Sequence, residues 1–317
     1  MFSDDPGVPS FKLPPVRSAE VIVNASSGIG AKGDLSQRLT DAFEAGGLHV
    51  NIFLAHSGAE VIELARHAAN SASGVVVAGG GDGTINAVAS AIVDHEKTFG
   101  VLPLGTLNHF ARDLNIPLDL EAAAQTIVAG HSVEVDVGEV NGRVFVNNSS
   151  LGLYPQIVRE REKQQRLGFG KWPAFAWAAL TVLRRYPFLD VRLQVDGKEF
   201  HRRTPFVFVG NNEYLMESLN IGGRERLNDG QLSVYITNRA GRLGLVRIAL
   251  SALLGRMQEE RDFLALKSQE VWIATRHKKL LVAFDGEIEV LVAPLHYRVR
   301  PRALRVMVPR PIGDPDN

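Results

Sequence analysis

Cysteine is absent from the 317 residues, which removes disulfides, iron–sulfur ligation and thiol catalysis from consideration and suits a reducing cytoplasm. Neither sign of charge is in excess, with 35 Lys and Arg against 35 Asp and Glu. No global field therefore draws in nucleic acid, and an anionic partner has to be met by local patches. Long apolar runs are missing as well. The longest, Trp172 to Leu183, falls well short of the ~20 residues that a membrane span requires. Met1 to Arg17 contains four prolines and two aspartates but no basic start and no apolar stretch, so it reads as a loose arm rather than a secretory leader. What is present, 45% apolar and 22% charged residues, is the composition of an ordinary globular chain long enough for two domains.

The most informative stretch is Val75 to Thr84, Val-Val-Val-Ala-Gly-Gly-Gly-Asp-Gly-Thr. A β-branched run enters a turn almost without side chains, and Ile85, Val88, Ala89, Ile92 and Val93 then follow at helical spacing. Strand, glycine turn and helix N-terminus together form a phosphate cradle, because main-chain N–H groups can converge on an anion where no Cβ intervenes. The turn is not a Walker A loop, which ends in Gly-Lys-Ser/Thr, and it lacks the third glycine of a dinucleotide fingerprint. Asp82 repels phosphate unless a divalent cation or a sugar hydroxyl takes up its charge. That favours a Mg-nucleotide over a dinucleotide. The plainer alternative is a glycine-rich turn with no ligand.

Around this element, strands at Glu20 to Val23, His49 to Ala55 and Phe99 to Leu104 alternate with helices, the pattern of a doubly wound parallel sheet. Polar turns near Asn24, Gly80 and Thr106 then share one sheet edge, the edge where such folds hold ligands. After a helix from Leu120 to Ala129 the pattern changes. Asn141-Gly142, Asp196-Gly197 and Asp285-Gly286 each separate alternating apolar runs, predicting hairpins and a mainly antiparallel second half. Helical insertions are expected from about Gln156 to Tyr186 and from Leu243 to Arg256. The expected organisation is an arm over 1–17, an α/β domain over 18–137, a β domain over 138–309 and a tail over 310–317.

Candidate chemistry in the second half rests on Phe284-Asp285-Gly286-Glu287, two carboxylates around a tight turn, although Asp-Gly by itself is usually only a hairpin turn. Asn228-Asp229-Gly230-Gln231 is a turn whose carboxylate and carbonyls could also hold a hard cation. His49, His56, His67 and His131 have no metal-ligand spacing. Arg159 to Arg185 interleaves seven basic residues with Trp172, Phe175 and Trp177; this suits either a membrane surface or a helix packed on a core with a solvated basic face.

Gly79 to Thr84, then Gly105-Thr106-Leu107-Asn108-His109-Phe110-Ala111-Arg112, then Leu227-Asn228-Asp229-Gly230, then Asp285-Gly286-Glu287, in that order, resemble the diacylglycerol kinase catalytic family, in particular its soluble bacterial lipid kinases. The resemblance runs from Glu20 to Pro309. It implies a first domain like those of NAD kinases and diacylglycerol kinases and a β-sandwich second domain. It implies an ATP- and Mg-dependent kinase acting on a lipid hydroxyl, peripheral contact with a membrane surface, and a homodimer of the kind soluble members form. Carried over residue by residue, it implies ATP contacts at Asn24, Ser27, Gly28, Gly79, Gly80, Gly81, Asp82, Gly83, Thr84, Thr106 and Asn108. Glu287 with Asp285 would activate the acceptor, and Asp82 would serve the phosphates. A Mg ion would be held by Asp229 with the carbonyls of Arg226 and Gln231. The chain departs from the family pattern at His109, at Ala25 in the first loop, and in lacking a threonine near Leu54 to Ser57. The rival readings are an NAD kinase, which shares the glycine motif but not the Gly105–Arg112 turn, and a non-catalytic nucleotide- or lipid-binding module.

Overall fold

The computed structural model describes residues 11–12, 18–25, 32–152, 155, 188–217, 220–224, 226–237 and 263–310. The helices expected near 156–186 and 243–256 lie outside the described residues. The chain forms two compact units, one of residues 1–137, 225–228 and 301–317 and the other of residues 138–224 and 229–300.

The first unit contains β1 (Phe11–Lys12), β2 (Ser18–Asn24), α1 (Lys32–Glu44), β3 (His49–Ala55), α2 (Gly58–Ala69), β4 (Val75–Gly80), α3 (Asp82–Ile92), β5 (Thr98–Pro103), α4 (His109–Asp113) and α5 (Leu120–Ala129). Strands β5, β4, β2 and β3 lie in that order, all parallel. Every residue of β4 and β5 is buried, as expected of strands covered on both faces by crossover helices. Ile85, Val88, Ala89 and Ile92 are the buried stripe of α3. α2 starts at Gly58 because Ser57 accepts a hydrogen bond from the Glu60 N–H through its hydroxyl, a cap that apolar spacing alone does not reveal.

The second unit is built from β6 (His131–Val140), which enters it from the first, β7 (Arg143–Phe145), β8 (Asn148–Gly152), β9 (Leu189–Val195), β10 (Lys198–Thr204), β11 (Phe206–Asn211), β12 (Leu215–Glu217), β13 (Asn220–Gly223), β14 (Leu232–Thr237), β15 (Phe263–Ser268), β16 (Glu270–Thr275), β17 (Lys279–Phe284), β18 (Glu287–Val292) and β19 (Leu295–Met307). One antiparallel sheet runs β15-β14-β11-β8-β17-β18, and β10-β9-β16-β19 form another. Leu151, Val207, Val209 and Val234 from the first meet Val191, Leu193, Ile273 and Tyr297 from the second in one core. This is a two-sheet sandwich; β9 alternates inward apolar and outward polar residues along its length, whereas β14 is buried at every position. Asn141-Gly142, Asp196-Gly197 and Asp285-Gly286 all have positive φ at both positions, the backbone that two-residue hairpins need.

β19 does not end in the sandwich. Its last residues return to the first unit, where Arg305 and Val306 pair in parallel with Thr98 and Phe99 of β5. The parallel sheet of the first unit thus takes in a strand from the far end of the chain, and that strand also pairs with β6.

Candidate active site

Register brings the three polar turns of the first unit to one edge. Val23 of β2 lies beside Gly79 of β4, and Gly80 lies beside Pro103 of β5. The glycines have steric reasons. A Cβ on Gly80 would stand 2.5 Å from the Thr84 Cβ, and one on Gly105 would stand 2.5 Å from the Gly81 Cα. The second glycine turn therefore presses directly against the first. Gly81 caps α3 in an extended conformation without a side-chain bond, and Ile85 is the residue whose N–H reaches the Gly81 carbonyl. The N–H groups of Asp82, Gly83 and Thr84 precede the first helical bond and point toward the turn. An anion placed there meets donors and the positive end of the helix together.

Side chains fix this edge. Asn24 donates through Nδ2 to the Thr84 hydroxyl at 3.1 Å. Asp82 accepts from the Phe110 N–H at 3.4 Å, tying the starts of α3 and α4 together. Asn108 is 4% exposed and holds a left-handed backbone with φ 52°. Its side chain accepts from the Gly105 N–H and donates to the Gly105 carbonyl, each at 2.9 Å. Asn108 thus braces the loop from inside, while Thr106 on the same turn is exposed. Ser27 and Gly28 lie outside the described residues.

In the second unit, Asp285 and Glu287 occupy different environments although two residues apart. Asp285 is buried, and both of its carboxylate oxygens are taken: Oδ2 accepts from the Val146 N–H at 2.7 Å, and Oδ1 accepts from the N–H groups of Asn147 and Asn148 at 2.9 and 3.0 Å. Burial pushes its pKa up to about 6, against the opposing pull of those three donors and of Arg224. Glu287, at the start of β18, reaches solvent. Partial burial of its carboxyl group, and secondarily the charge of Glu289, raise its pKa above the ordinary glutamate value. A carboxylate with free oxygens and raised basicity is equipped to take a proton; one saturated by main-chain donors is equipped to hold a bend.

No motif pointed to the group that completes this arrangement. Arg224 is 5% exposed. It donates to the carbonyls of Val146 and Asn211 at 2.7 and 3.1 Å and to the Asn147 side chain at 2.7 Å, and its guanidinium stacks 5.5 Å from the Tyr214 ring. Asn211 also donates to the Val146 carbonyl. The polar doublets Asn147-Asn148, which opens β8, and Asn211-Asn212, which closes β11, are the trace of this network in the sequence.

For the expected cation, Asp229 is exposed and its N–H donates to Asn212 Oδ1 at 3.1 Å, while the Gln231 carbonyl accepts from the Asn212 N–H at 3.0 Å. Arg226 is exposed in the first unit's segment of this turn. Among the described residues no three acidic or histidine side chains gather as a metal cage. One carboxylate with turn carbonyls fits a hard cation that keeps most of its water. No helix among the described residues is long and apolar enough to cross a membrane.

Residues 18–140 match the diacylglycerol kinase catalytic domain, and residues 154–308 match the YegS C-terminal NAD kinase beta sandwich-like domain. The chain is 28% identical over 282 residues to a diacylglycerol kinase of Bacillus subtilis, spanning 86% of this chain and 90% of that protein. It is 26% identical over 273 residues to a diacylglycerol kinase of Staphylococcus carnosus, spanning 86% and 89%. A solved diacylglycerol kinase of Bacillus anthracis shares the fold with a TM-score of 0.69 at 20% identity, covering 94% of this chain and 98% of that one. The chain belongs to the diacylglycerol kinase catalytic family, as an enzyme of the lipid-kinase class.

Proposed function

We propose that the protein transfers the γ-phosphoryl group of ATP to the hydroxyl of a lipid alcohol such as diacylglycerol. The observation that carries this reading is the joined pair of turns, Gly80–Gly81 against Gly105, with the three leading N–H groups of α3 beside them. Phosphoryl transfer depends mainly on positioning the phosphates and stabilising their charge, and this edge offers fixed donors and a helix N-terminus for the purpose. Asn24 and Thr84 set the wall of the cradle, Thr106 meets the nucleotide from the second turn, and Asp82 handles the charge at the phosphates.

Glu287 takes the proton of the lipid hydroxyl. The freed oxygen attacks the γ-phosphorus, the bond to the bridging oxygen breaks, and ADP leaves with that oxygen. Asp285 acts through the fold, holding the Val146–Asn148 bend against the hairpin whose next strand begins with Glu287. Asp229, with the carbonyls of Arg226 and Gln231, would hold Mg²⁺, which supplies positive charge to the reacting phosphates.

The test is incubation of the purified protein with labelled ATP, Mg²⁺ and either a mixed lipid extract or NAD. Label in an organic-phase lipid phosphate, identified by mass spectrometry, is the expected result. Formation of NADP without any labelled lipid would overturn the reading in favour of the small-molecule kinase that the second domain's match also brings to mind.

A further inference from the structure

A concave site of about 500 Å³ lies on the outer face of β9, β10 and β16 in the second unit, away from the Asp285 hairpin in the sequence and assigned no role above. Register builds it in two rows. His201, Arg192 and Ala274 stand side by side on adjacent strands, and one step along the same face Arg203 stands beside Asp190. Ala274 supplies the hollow, because it contributes only a methyl group between longer neighbours. Arg276 reaches Asp190 from beyond the end of β16 at 3.8 Å, and Arg202 joins the rim from β10.

Three arginines, Arg192, Arg203 and Arg276, therefore share this face with Asp190 and with Glu199, which pairs with His201 at 3.1 Å. In a chain of zero net charge, that concentration is a local feature and not a reflection of composition. Arg203 is steadied over the Phe188 ring at 5.6 Å. Arg192 lies at the centre and has no hydrogen-bond or ion-pair partner among the described residues. Basic residues on β10 could serve merely to guard an edge strand. Arg192, however, lies on β9 between two paired strands, where there is no edge to guard. On the same face of β16, two residues from Ala274, Trp272 is 38% exposed, with its indole stacked on His296 at 3.9 Å. An exposed tryptophan beside a basic hollow matches the boundary between lipid headgroup and acyl chain, whereas a soluble anion has no use for it.

We infer that this face docks the protein on a bilayer by binding the phosphate groups of anionic phospholipid headgroups. The inference rests on the lipid-kinase reading for its purpose but not for its test, because vesicle binding is measured without turnover. Co-sedimentation with vesicles of phosphatidylglycerol and phosphatidylcholine should show binding that weakens with salt. The double variant Arg192→Gln with Arg276→Gln should weaken it on the order of 30-fold, at the strength expected for two surface arginines. A control with the same charge change, Arg66→Gln with Arg143→Gln, should bind as wild type does. Equal loss in both variants would reduce the effect to net charge, and no loss in either would place the contact elsewhere; both results overturn the inference. Inorganic phosphate at constant ionic strength gives a further arm. If it binds in an Arg192-dependent way while vesicle binding ignores the substitution, the hollow serves a soluble anion and the inference fails. Turnover on detergent-dispersed diacylglycerol should persist in both double variants, and its absence from wild type would count against the lipid-kinase reading alone.

Discussion

Truncating Asp285 to alanine separates a structural carboxylate from a chemical one. The substitution leaves the N–H groups of Val146, Asn147 and Asn148 without their acceptor. Each buried donor left unsatisfied costs about 1–3 kcal/mol, and a water entering the vacated space recovers part of that. The expected loss is about 3 kcal/mol at pH 8, or roughly 6–12 °C in Tm for a unit of this size. The loss should depend on pH. With the folded pKa raised from 3.8 to about 6, the fold favours the protonated carboxyl. The stability this contributes is fully present below pH 4 and is lost as pH rises through 6, by ~3 kcal/mol in all. Asp285→Ala should therefore be more destabilising at pH 5 than at pH 8, by roughly 1 kcal/mol. Thermal melts followed by far-UV circular dichroism at the two pH values measure this directly. A variant that melts with wild type at both pH values yet has no kinase activity would refute the assignment of Asp285 to the fold and return it to the chemistry.

Glu287→Gln should do the reverse, leaving Tm unchanged and lowering kcat by about 10²–10⁴, the range for removing a general base; a clear Tm loss with normal turnover would exchange the two roles. Gly105→Ala places a methyl group 2.5 Å from the Gly81 Cα, so the two turns must part. KM for ATP should rise with little change in lipid dependence, and unaltered nucleotide kinetics would mean that ATP does not use this edge. Asp82→Ala keeps the glycines and removes the carboxylate between α3 and α4, and turnover should vanish while the far-UV spectrum persists. Asp229→Ala should shift the Mg²⁺ titration of activity to higher concentration; an unchanged curve leaves that turn to the fold.

Much of this protein is legible in its sequence because the signals are local. The Val75–Thr84 strand, glycine turn and helix follow from consecutive residues, and so do the three Asx-Gly hairpins, since turn backbone depends on the two residues that occupy it. The change from alternating strands and helices to successive hairpins marks the passage from parallel to antiparallel sheet. Tertiary structure decided whatever depended on partners distant in the chain. Leu295 to Met307 falls inside the β domain expected over 138–309, yet its end pairs with β5, some two hundred residues earlier. Asn108 sits in a ligand-like motif, but only the fold shows its side chain turned inward to brace Gly105. Asp285 and Glu287 look equivalent on paper. Main-chain donors more than 130 residues away saturate the first and leave the second unsaturated. Arg192 is one polar residue between Val191 and Leu193, while Arg203 and Arg276 lie in polar runs, and strand register alone gathers the three around a single hollow. Local propensity fixes backbone conformation residue by residue, whereas burial, saturation of polar groups and the clustering of charge are properties of neighbours that the chain acquires only by folding.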